Sequence, residues 1–153
     1  MSNFKNDIEV LKCWIGKKGI DLYSDKKTEG EYNPHHGYIK YNTSYSFENQ
    51  LYELLHECGH YLIDKNSMKK GNFVYHKQVE ALEDYRKERS YVYRMEVIRE
   101  EFDAWERGWR LSKRLNLSSA NINNYKKQMS RYIGTYFEWF CNRDWSDGLE
   151  SAG

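Results

Sequence analysis

The chain has 153 residues, enough for one domain with a buried core, and its 24 basic and 23 acidic side chains leave a formal net charge of +1. That balance supplies no long-range field toward nucleic acid or an anionic membrane, and a mean hydropathy of -0.98 describes a polar surface. One Pro and 10 Gly argue against a disordered or repetitive chain, and three widely spaced cysteines (Cys13, Cys58 and Cys141) form neither a C-x-x-C pair nor a disulfide framework.

Met1 to Asp7 is polar and lacks the apolar core of a signal peptide, and no window is long and apolar enough to span a bilayer. The expected location is therefore the cytoplasm, a reducing compartment. Phe4, Ile8, Leu11 and Ile15 recur at helical spacing and predict a first helix over about Asn3 to Lys17, stopped by Gly16 and Gly19. Ile20 to Tyr23 reads as a strand. Asp25 to His36, with Gly30, Asn33 and Pro34, reads as a loop, and Gly37 to Asn42 as a second strand.

Ser46 is a candidate N-cap for a helix over about Phe47 to Lys65, with Asn49 where a capping box has Glu or Gln. Its apolar residues Leu51, Leu54, Leu55, Cys58 and Leu62 make one stripe. A polar link with Gly71 follows from Lys65 to Tyr75, then a short helical piece from His76 to Lys87. A long helix is expected from about Ser90 to Leu115, a break over Leu117 to Asn121, and a last helix over Ile122 to Cys141. The last carries Tyr125, Met129, Tyr132, Ile133, Tyr136, Phe137 and Phe140 on one side, taken as core; Arg143 to Gly153 is expected to fray. The resulting fold class is α+β, mostly helical, with a small N-terminal sheet before the second helix and long helices after it, all in a single domain over residues 1–153.

The chemistry concentrates in His56-Glu57-Cys58-Gly59-His60, an H-E-x-x-H array. Histidines four apart lie on one helix face, about 6 Å apart along the axis, so both can reach one tetrahedral zinc with Glu57 beside its open position. On a helical wheel His56 and His60 fall opposite the apolar stripe, where a structural core histidine would not sit. The bland alternative is a solvated polar face shared with Glu53 and Asp64.

A catalytic zinc takes three protein ligands and a water, so a third His, Glu or Asp is needed. No third His follows the motif at a recognised spacing; the next is His76. The acids cluster in Arg99-Glu100-Glu101-Phe102-Asp103-Ala104-Trp105-Glu106. Val97, Ile98, Ala104, Trp105 and Gly108 surround Glu101 on the wheel, so Glu101 faces inward, where a carboxylate is costly unless paired or metal-bound. Glu101 is the expected third ligand. Glu100 is the alternative on a small change of register, and an ion pair with Arg94 is the structural alternative for Glu101.

With Glu101-x-x-Ala104 following it on a later helix, the H-E-x-x-H array resembles the gluzincin metallopeptidases. Within them the chain is most similar to the small ImmA/IrrE-type proteins of phages, mobile elements and bacteria. The similarity of element order extends from about Asn3 to Leu115; a departure is Trp105, where Asn or Asp usually follows the Ala. The resemblance implies a zincin-like fold and a cytoplasmic zinc peptidase acting on a protein or peptide, with a regulatory protein as candidate substrate.

In the expected reaction Zn2+ lowers the pKa of its water, Glu57 acts as general base, and a second electrophile steadies the oxyanion. Arg94, Tyr91, Tyr93, His35, His36 and His76 are candidates for that last role, with none favoured. Gly37 to Asn42 is a candidate edge for an extended substrate. Three other readings compete: an inactive zinc-binding interaction module, a nucleic-acid binder using Arg107, Arg110, Lys113, Arg114, Lys126, Lys127 and Arg131 around Trp109 and Tyr125, and a structural helical protein with a chance motif. Substrate identity and oligomeric state leave no signature.

Overall fold

A computed structural model describes residues 3–70 and 90–142. The expected helical piece at His76 to Lys87, the Gly71 part of the link and the tail from Arg143 lie outside the described residues. The architecture is α+β and mostly helical, with a three-stranded sheet near the N-terminus.

Helix α1 (Phe4–Lys17) starts where the Asn3 side chain accepts the Asn6 N–H at 3.1 Å, and buries Ile8, Leu11 and Ile15. Gly19, at φ +74°, turns the chain into β1 (Asp21–Asp25). Strand β2 (Glu31–Asn33) follows, inside the segment expected to be a loop. A turn through Pro34, His35, His36 and Gly37 (φ +65°) then leads into β3 (Tyr38–Asn42). Three residues between Gly30 and Pro34 are too few to show an alternating pattern, so β2 escapes a periodicity reading.

The strand order is β1-β3-β2, with β3 parallel to β1 and antiparallel to β2. The second strand is therefore the centre of the sheet. The expectation that it offers an edge to substrate is corrected, because the β2 hairpin folds back onto it.

Helix α2 (Phe47–Lys70) begins at Ser46, whose Oγ accepts the Asn49 N–H at 3.2 Å, as the cap reading expected. It runs past Lys65, because neither Gly nor Pro stands between Lys65 and Gly71. Helix α3 (Tyr91–Arg114) is capped by Ser90, whose Oγ accepts the Tyr93 N–H at 3.1 Å. Asn116, left-handed at φ 53°, ends it. Helix α4 (Ile122–Cys141) opens at Asn121, whose side chain accepts the N–H groups of Asn123 and Asn124.

Helix α2 is the axis of the molecule. Gln50 through Gly59 are buried without a break, so the solvated-face reading of His56 and Glu53 does not hold. The sheet, α1, α3 and α4 all pack on it. Its approach to α3 is backbone to backbone. A Cβ built on Gly59 would stand 1.9 Å from the Ala104 carbonyl oxygen, and one on Gly108 would stand 2.4 Å from the Leu55 carbonyl oxygen. Both glycines therefore permit the crossing that brings the acid-bearing helix onto the motif helix. No helix among the described residues is long and apolar enough to cross a membrane.

Candidate metal centre

His56 and His60 project from α2 toward α3, and Glu101 reaches back to meet both. The Glu101 carboxylate lies 2.8 Å from His56 Nε2 and 3.3 Å from His60 Nε2, and the two Nε2 atoms are 3.0 Å apart. Ligand atoms about 2.0–2.1 Å from a tetrahedral ion stand about 3.3 Å from one another, close to these spacings. Three donors so close, one anionic and two imidazole, form a group that could hold a metal ion. His56 and Glu101 are buried at 6% and 7% exposure.

The electrostatics agree with the geometry. Burial pushes the Glu101 carboxyl up, yet hydrogen bonds from His56 and His60 outweigh it and hold the group well below the ordinary carboxylate range. Burial opposes charge on His60 as well, but the Glu100 and Glu101 carboxylates leave its pKa well above the usual value.

The candidate acids separate by position. Glu100 stands 3.4 Å from His60 Nδ1, on the far side of the ring from the Nε2 that faces His56 and Glu101. A carboxylate there fixes the tautomer and orientation of a ligating histidine. Glu101 is the acid that meets both Nε2 atoms, and its inward face follows from the wheel. Arg94, the alternative partner for Glu101, is buried and donates to the Phe140 carbonyl at 3.2 Å, with its guanidinium over Trp139.

Trp105 is fully buried and stacks on the His56 ring, centroids 4.4 Å apart and planes 14° apart. Trp105 thus braces an imidazole by its flat face. The Tyr125 hydroxyl donates to the Trp105 carbonyl at 2.5 Å, locking that turn of α3 against α4.

Five of the six candidate electrophiles fall among the described residues. Tyr91, Tyr93 and Arg94 pack against Phe140 and Trp139 near the end of α4. His35 and His36 are exposed on the β2–β3 turn, and His76 lies outside the described residues. Two phenols from α4 come to the cluster. The Tyr132 ring lies 6.2 Å from that of His56. Burial raises the Tyr136 pKa first, then the Glu101 charge and a hydrogen bond to that carboxylate, with Glu57 adding to the effect. The sequence reading places both in the core, because an aromatic stripe does not tell where its hydroxyls point. Phe137 of the same stripe is 47% exposed.

Glu57 is buried at 6% exposure with a carboxylate oxygen 3.7 Å from His56 Nδ1. One turn earlier, Glu53 is buried at 2% and its Oε1 accepts the Asn42 N–H at 2.8 Å. Burial raises its pKa to about 7; the Asn42 and Gly30 N–H groups oppose this, and the Glu57 and Glu29 charges add to it. A carboxyl raised from 4.5 to about 7 stabilises the fold relatively at low pH and loses that contribution as pH rises through about 7. Glu53→Gln should therefore gain stability against the wild type between pH 5 and pH 8, by up to about 3 kcal/mol. Denaturant melts at the two pH values check this, and a constant difference would contradict it.

The basic stretch divides. Arg107 pairs with Asp103 at 2.8 Å, Arg110 with Glu106 at 3.6 Å, and Lys113 lies 4.5 Å over Trp109. Tyr125 is buried, while Lys126, Lys127 and Arg131 line a shallow concavity with Asn123 and Ser130. No family model, curated protein or solved structure matches the chain.

Proposed function

We propose that the chain is a zinc-dependent metallopeptidase, related to the ImmA/IrrE-type gluzincins, that cleaves peptide bonds in a regulatory protein. One observation carries the reading: an acid from a separate helix meets the Nε2 atoms of both motif histidines, with a second buried acid, Glu57, alongside. His56, His60 and Glu101 would hold the ion. Bound there, zinc supplies a Lewis acid and an acidified water near neutral pH.

The chain's own groups do the rest. Glu57 takes the proton of the attacking water and delivers it to the departing amine. Glu100 keeps the His60 ring turned so that Nε2 faces the centre, and Trp105 prevents the His56 ring from tilting. The Tyr136 phenol, held protonated by its burial and by Glu101, donates to the oxyanion that forms on the scissile carbonyl.

Zinc-loaded protein presented with a quenched-fluorescent peptide library is expected to cleave a subset of its members. A chelator should stop cleavage, and one equivalent of zinc should restore it. Absence of cleavage across the library would count against the reading. Tyr136→Phe should lower kcat by about 100-fold with KM and zinc content little changed. An unchanged kcat would remove Tyr136 from the reaction.

A further inference from the structure

One buried acid has no part in that chemistry. Glu53 Oε1 accepts the Asn42 N–H, but its Oε2 is shut off from solvent and has no hydrogen-bond partner among the described residues. A buried carboxylate oxygen left unmatched is costly, so the position is poor as a purely structural one. It is also closely enforced: a Cβ on Gly30 would stand 2.6 Å from Glu53 Cγ, so Gly30 makes the room that Glu53 fills.

The surroundings are anionic and phenolic. Glu53 feels the charges of Glu57 and of Glu29, which is exposed on the β1–β2 loop. Tyr45, half-buried between β3 and α2, and Tyr132 of α4 both interact with the Glu53 charge. Among the described residues no Lys or Arg forms an ion pair with Glu53. Glu53 and Glu57 stand one helical turn apart, about 6 Å along the axis. That is the distance from a scissile bond to a group on the neighbouring residue.

We propose that Glu53 is the recognition carboxylate for a cation on the substrate, an ammonium or guanidinium carried by the residue beside the scissile bond. This rests on the peptidase reading. The cation enters beside the Tyr45 and Tyr132 phenols and gives Oε2 a donor. The two ring faces add to its attraction.

Three hydroxamates, each with a metal-chelating head, test this by calorimetry on zinc-loaded protein. Nα-acetyl-lysine hydroxamate carries only a side-chain cation, norleucine hydroxamate only an α-ammonium, and Nα-acetyl-norleucine hydroxamate neither. At least one cationic probe should bind the wild type about tenfold or more tighter than the neutral one, the scale of a charge-assisted hydrogen bond. The tighter of the two shows whether a side chain or a chain terminus is recognised. In Glu53→Gln, whose zinc content and melting curve are measured alongside, that advantage should fall below about twofold. Equal binding of all three by the wild type overturns the proposal while leaving the peptidase reading in place, and needs no variant. An advantage that survives in Glu53→Gln also overturns it. Failure of all three to bind the zinc-loaded protein overturns the peptidase reading and this proposal together.

Discussion

Replacing Gly59 with alanine is expected to abolish both the stable fold and zinc retention. The added methyl would stand 1.9 Å from the Ala104 carbonyl oxygen, 2.6 Å from its carbon and 2.9 Å from its Cα. All three are backbone atoms, so no side-chain rotation relieves the clash. Helices α2 and α3 would have to part by more than about 1 Å, since atoms in contact need roughly 3.5 Å. Overpacking against side chains costs about 1–3 kcal/mol; against backbone the cost lies at or above the top of that range. A domain of this size has only about 5–15 kcal/mol in hand. The parting also draws Glu101 away from His56 and His60, so the three donors no longer converge. Thermal melting by circular dichroism and zinc analysis of the purified variant check both effects. Gly134→Ala is the control: nothing lies within 4 Å of its Cβ position, and alanine should stabilise that helix by up to about 1 kcal/mol. A Gly59→Ala protein with wild-type melting and zinc content would contradict the crossing described above.

Replacing Glu57 with glutamine is expected to leave zinc content unchanged and to remove turnover. Glutamine has the shape of glutamate, so a position with 6% exposure can accept it without repacking. What it lacks is a site for the proton. A positioned general base contributes about 10²–10⁴ in rate, so kcat should fall by that factor with substrate binding preserved. Single-turnover assays on the cleaved library members, paired with zinc analysis, make the measurement. Wild-type turnover in this variant would transfer the base role elsewhere.

Much of this was legible because the decisive signals are local. Asn121 and the break before it mark the start of α4, and Ser46 and Ser90 open α2 and α3, so helix positions follow from caps and periodicity. Glu101 could be picked from its neighbours because Ile98, Ala104, Trp105 and Gly108 are all buried on its side of α3. The rest depends on contacts between distant segments. A wheel sorts residues by polarity, and so places Glu53, His56 and Glu57 on a wet face; a sheet and two helices cover that face. Gly59 reads as a filler within the motif, although its missing side chain sets the helix spacing. Strand β2 has only three residues, and its pairing turned an expected edge strand into a central one. Tyr132 and Tyr136 share a stripe with true core residues, and only the packing of α4 on α2 reveals which rings carry their hydroxyls to the acids.

Zinc stoichiometry across four proteins tests the central claim most directly. Wild type should hold about one zinc per chain, and His60→Ala and Glu101→Ala should lose it. Glu100→Ala, which removes only the acid behind His60, should still bind zinc, with affinity lowered by about 10–100-fold. A Glu101→Ala protein that keeps a full equivalent of zinc at wild-type affinity would contradict the centre described here.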